Sequence, residues 1–258
     1  MPRWIAVVTA LAIAALFFAL LVLAQMQFNP NDIDPHWTGT PLPPCFLDAK
    51  ACFGHVLGTD EVGRDVLARL GRGGEISLGL SLITVFFEIA FGAGFGILSR
   101  YGGAVLKFTI LRVADALSCF PAWPFLMLIV ILATPPDHAT LKAIFIAAII
   151  AILLSPQILR PIAIGNLRDV VHAVSDHAAR DLTRIIVLFA TIDFFGWGVQ
   201  PPTPTWGAML ADWPENVMLA WWSVVFPAVC LFGAILTIEI MRRRLLRFVE
   251  PTNEAAPI

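Results

Sequence analysis

The chain has 258 residues, 58% of them hydrophobic and 14% charged, with a mean hydropathy of +0.80. A water-soluble domain carries roughly 25% charged residues, so the composition argues for one integral membrane domain rather than a soluble fold. The net charge of −2 leaves no basic field for nucleic acid, and the four cysteines form no CxxC or Cys/His pair at metal spacing, which argues against redox or zinc chemistry.

A bilayer core needs roughly 20 apolar residues as helix. The sequence predicts an all-α, polytopic bundle of about six spans. The first, 5–24, has no charge and exceeds the apolar core of a secretory leader, so 1–24 reads as an uncleaved anchor. The second is 76–98 with Glu88 inside it, and the third is 113–133 with Asp115, Pro121 and Pro124. The fourth, 143–159, is short and uncharged; the fifth, 185–199, is shorter still and holds Asp193; the sixth is 217–240, ending near Glu239. With the first residue inside, Arg100, Lys107, Arg112, Arg160, Arg168, Arg180, Arg184 and Arg242 to Arg244 all fall on the cytoplasmic side, which sets both termini there.

The segment 25–75 reads as a long outer loop, irregular in its Pro, Asn and Asp-rich first half. Cys45 and Cys52 lie in it with six residues between them. They are either two free thiols or a disulfide; an oxidising compartment favours the bond. Gly58-Thr59-Asp60 is a turn in which Thr59 or Asp60 can cap a helix, and 64–70 reads as a short amphipathic helix at the membrane face.

In the second span Gly79, Gly92, Gly94 and Gly96 predict close helix approach in the bundle centre, and Glu88 is a pathway residue, a helix-pairing residue or a partnered structural acid. Arg112 and Asp115, one turn apart, can pair at the membrane face, and Pro121 and Pro124 should kink the third span. The stretch 165–184 reads as a short polar cytoplasmic helix or solvated loop, its surface made by Asp169, His172, Asp176, His177, Arg180, Asp181 and Arg184. After it, prolines and glycines allow no regular element from 196 until Trp206, and Trp206, Trp213, Trp221 and Trp222 read as an interfacial aromatic belt.

Two runs carry a resemblance. Gly58-Thr59-Asp60-Glu61-x-Gly63-Arg64-Asp65-Val66-x-x-Arg69 and Gly196-x-Gly198-Val199-Gln200-Pro201-Pro202-x-Pro204-x-Trp206-Gly207-x-Met209-Leu210 resemble the C-type permease subunits of bacterial dipeptide/oligopeptide ABC importers. The spacing Arg112, Asp115, Pro121 is similar to that family as well.

The resemblance implies an ABC importer permease fold and transport of di- or oligopeptides by alternating access. It implies a second homologous permease, two cytoplasmic ATPases and an exported or lipid-anchored solute-binding protein as partners, in the inner membrane lipid. The chain holds no GxxxxGK[ST] phosphate loop, so no cofactor is expected here and ATP would be bound by the partner subunits. The family's coupling pattern E-A-A-x-x-x-G falls best on His172-Ala173-Val174-x-x-x-Ala178, with His172 for glutamate, Val174 for alanine and Ala178 for glycine, and no later proline. The passage is shorter than in the family.

The resemblance divides the chain into an anchor (1–24), a periplasmic loop (25–75), a permease domain (76–250) containing the coupling segment 165–184, and a tail (251–258). Three alternatives stand beside peptide import. One is another solute, such as nickel or glutathione. Another is a non-transporting assembly or regulatory subunit, suggested by the altered coupling segment. The last is an intramembrane enzyme using Asp115 and Asp193 as a carboxylate pair; no covalent chemistry is expected of any residue.

Overall fold

The computed structural model describes residues 29–35, 37–48, 54–118, 139–165, 167–212 and 218–249. The first span, the proline-bearing half of the third, Cys52, Trp213 and the 251–258 tail lie outside them. Among the described residues seven helices follow in order: α1 (Val66–Tyr101), α2 (Gly103–Ser118), α3 (Ala139–Leu154), α4 (Pro156–Ile164), α5 (Leu167–Phe194), α6 (Trp206–Ala211) and α7 (Trp222–Val249). The protein is an all-α membrane bundle.

Helix α1 is the axis of the bundle and packs against every other helix. Its 36 residues reach about 54 Å at 1.5 Å per residue, well beyond a ~30 Å hydrocarbon core. The interfacial helix expected at 64–70 and the span expected at 76–98 are therefore one element. Asp65, in extended conformation, caps it by accepting from the Ala68 N–H. No breaker follows, because Gly71, Gly73 and Gly74 each stay helical, and a Cβ on Gly73 would lie 3.3 Å from the Thr205–Trp206 backbone.

Of the four glycines expected to admit neighbours, two do so. A Cβ on Gly92 would lie 2.7 Å from the Ile158 Cβ, and one on Gly96 2.8 Å from the Ile162 Cβ, so α4 sits directly on α1. A Cβ on Gly79 or Gly94 would meet nothing within 4 Å among the described residues.

The fourth span is broken rather than straight. Helices α3 and α4 meet at Ser155 with a 41° bend. Pro156 supplies no N–H there, and the Ser155 carbonyl instead receives the Ile158 and Leu159 N–H groups. Arg100, from the end of α1, donates to the Ile162 and Gly165 carbonyls at the end of α4.

The fifth span also departs from expectation. The polar 165–184 segment and the apolar 185–199 segment are not separate: α5 runs 28 residues, about 42 Å, because no proline or glycine interrupts the chain between Gly165 and Gly196. The sixth span starts at Trp222, later than expected, and continues through its basic end to Val249.

Helix α1 and the Trp222–Arg244 part of α7 are long and apolar enough to cross a membrane, and the bent α3–α4 pair is a third such element if it forms one span. The outward faces are apolar, as lipid contact requires: Phe86, Ile97, Phe108, Val229 and Phe232 are all exposed. Inside, Val66, Leu70, Ile186, Trp206 and Trp222 share one buried cluster, and Val85, Ile150, Ile185, Phe189 and Ile192 form a second between α1, α3 and α5.

Candidate functional site

The turn 58–65 is built from short polar contacts. Gly58 and Gly63 both take positive φ, +76° and +84°, and each is closed in: a Cβ would fall 2.4 Å from the Leu42 carbonyl oxygen at the first and 2.5 Å from the Trp37 ring at the second. Thr59 does not cap a helix. Its hydroxyl accepts from the Leu42 N–H at 2.8 Å, and its own N–H returns to the Leu42 carbonyl at 3.0 Å. Asp60 is no cap either, because its carboxylate closes the turn, accepting the Val62 and Arg64 N–H groups on Oδ1 and the Arg64 Nε on Oδ2 at 2.7 Å. Arg69, buried on the first turns of α1, reaches the same Oδ2 at 3.5 Å.

Asp65 takes the capping role and a second one. Its Oδ2 lies 2.7 Å from Nδ1 of the buried His55, whose Nε2 faces Asp34 at 3.3 Å. Two carboxylates thus hold one imidazole between the irregular loop and the start of α1. Cys45 is disulfide-bonded, while Cys52, its expected partner, lies outside the described residues.

The second run is fastened to the first. After α5, the Asp193 carboxylate accepts from the Val199 N–H at 2.9 Å and from the Thr205 hydroxyl, and the Gln200 amide donates to the Gly196 and Gly198 carbonyls. Pro201 and Pro202 carry the chain, through a cis bond, to Thr205, which caps α6 by accepting from the Ala208 N–H. Gly207 seats α6 against α5, where a Cβ would meet the Ala190 carbonyl oxygen at 2.3 Å.

Trp206 and Trp222 are not a belt. Both are buried: the Trp206 indole donates to the Leu70 carbonyl at 3.0 Å and the Trp222 indole to the Thr59 carbonyl at 2.9 Å. Buried indoles need an acceptor, and the first motif run and the residue after it supply one to each. Of the three described members of the expected belt, Trp221 alone, at 38% exposed, keeps a partly outward face.

At the opposite end the arginines gather. Asp115 pairs with Arg160 of α4, and its contact with Arg112 is a looser 3.8 Å, with Arg112 leaning over the Phe108 ring. The expected Arg112–Asp115 pair is thus the minor half of a helix-to-helix contact. Asp115 and Asp193 have separate partners and form no carboxylate pair.

On α5, Asp176 pairs with Arg180 at 2.9 Å and with Arg242 of α7 at 2.7 Å; Asp181 is fully buried and takes Arg184 at 3.0 Å. Val174 is partly exposed and Ala178 packs on the second core cluster. Asp169, His172 and Ala173 lie within the helix, with their side chains outside the described set. Among the described residues no group of three His, Cys, Asp or Glu side chains could hold a metal.

No family model matches the chain. It is 28% identical to the di/tripeptide transport system permease protein DppC of Pseudomonas aeruginosa, over 93% of this chain and 88% of that protein. It is 26% identical to the dipeptide transport system permease protein DppC of Haemophilus influenzae, over 92% and 87%. It is 28% identical to the oligopeptide transport system permease protein OppC of the same organism, over 86% and 77%. The chain is thus similar over most of its length to permease proteins of bacterial dipeptide and oligopeptide transport systems, and it is an integral membrane protein.

Proposed function

We propose that this chain is a transmembrane subunit of an ABC importer that moves di- or oligopeptides into the cytoplasm by alternating access. The observation that carries the reading is the packing of the two motif runs, 58–69 and 196–210, at one end of the bundle: Trp206 of the second donates to Leu70, the residue after the first, and Trp222 of α7 donates to Thr59 within the first. That end would face the periplasm and receive peptide from a solute-binding protein, with both termini cytoplasmic. A second homologous permease would complete the path. Two ATPases would bind ATP at the other end, against residues of the 165–184 segment, and this chain would need no cofactor and carry out no covalent step. The relative named as a glutathione transport system permease, GsiD of Pectobacterium atrosepticum, makes a small peptide-like solute the first alternative.

One structural feature favours a second reading, a subunit that assembles without coupling. Two acids of the 165–184 segment are already paired within the chain, Asp176 with Arg242 and Asp181 with Arg184, and the segment is the first half of a long helix rather than a free-standing one. Co-expression with the neighbouring permease and ATPases, followed by purification on a tag carried by this chain, separates the two. Stoichiometric ATPase and labelled-dipeptide uptake are expected of the importer; permease without ATPase would establish the second reading.

A further inference from the structure

Glu88 sits near the middle of α1, fully buried, and neither of its carboxylate oxygens meets an N–H or hydroxyl donor. Its side chain lies against the Asp181 carboxylate on α5. Asp181 is equally buried: its Oδ1 takes the Arg184 guanidinium, and its Oδ2 has no N–H or hydroxyl donor either. Asp181 and Arg184, both on α5, are the charged groups acting on Glu88. Among the described residues the neighbouring elements add none: α3 has no charged residue after Lys142, α7 none before Glu239, and Arg160 of α4 is occupied by Asp115.

Two ionised carboxylates in contact within an apolar bundle repel each other, and one guanidinium balances only one of them. The hydrogen that can join them is a proton on one of the two acids. We infer that Glu88 and Asp181 hold a single proton between them, and that this carboxyl–carboxylate hydrogen bond is the polar clasp fastening α1 to α5 inside the membrane. The site takes a proton as its ligand, and with Arg184 the three groups sum to zero charge. It stands on the packing of α1 against α5 and does not depend on which solute the chain serves.

Infrared spectroscopy of the full chain in lipid nanodiscs at neutral pH tests this directly, using Glu88→Gln and Asp181→Asn. Each amide supplies an N–H in place of the shared proton, so each single variant should lose one carboxylic-acid carbonyl band present in the wild type. The two variants are independent, so if one fails to fold the other carries the test. A wild type without that band, or a band that survives in a folded variant, would overturn the inference.

Discussion

Trp222 donates its indole N–H to the Thr59 carbonyl at 2.9 Å, tying the last helix to the first motif turn across 163 positions of sequence. Thr59 and Trp222 are both buried. Trp222→Phe keeps most of the packing and removes the donor. It should lower stability by about 1–3 kcal/mol, the cost of an orphaned buried acceptor. Trp221→Phe, at a half-exposed ring, should cost less. Thermal unfolding of the two variants in nanodiscs gives the comparison.

Asp60 holds the turn and its cations together. Asp60→Ala leaves the buried Arg69 guanidinium without its carboxylate, and it frees the Val62 and Arg64 N–H groups. Removing one partner of a buried pair costs about 3–5 kcal/mol. Asp60→Asn retains an oxygen acceptor for the turn and should fall between alanine and wild type. Fluorescence-detected size-exclusion yields after a heat step would show the ordering; equal survival of all three would count against the cage.

Gly92 and Gly79 make a matched pair on one helix. A Cβ at position 92 meets Ile158 at 2.7 Å, whereas one at 79 meets nothing within 4 Å. Gly92→Ala should destabilise the α1–α4 contact by about 1–3 kcal/mol through overpacking. Gly79→Ala should be neutral or stabilising by up to about 1 kcal/mol, because alanine is the better helix former. Melting temperatures that move in opposite directions are the expected result.

The course of α5 shows where local reading stops. The apolar window at 185–199 is too short for a span, and the charges before it look like a cytoplasmic segment. In the structure those acids have cationic partners: Arg180 of the same helix and Arg242 on α7 reach Asp176, and Arg184 reaches Asp181. A hydropathy window counts charges but cannot see what pairs with them, so it ends the helix too early. The tryptophans fail for the same reason. Trp206 and Trp222 lie beside an expected membrane interface, yet each indole is spent on a carbonyl well over a hundred residues away.

By itself the sequence determined the membrane class, the apolar stretches at α1 and α7, the element-free run from 196 up to Trp206, and both motif runs, because these depend on composition and near-neighbour spacing. The turn expected at Gly58-Thr59-Asp60 was legible in the same way. Only the tertiary structure decided that Asp65 rather than Thr59 or Asp60 caps α1, that Asp115 turns to Arg160, that His55 is held between Asp34 and Asp65, and that Glu88 faces Asp181. Each of those choices is a competition among polar partners for a buried group, and in a low-dielectric bundle the winner is set by which helix faces meet, a quantity no local stretch of sequence contains.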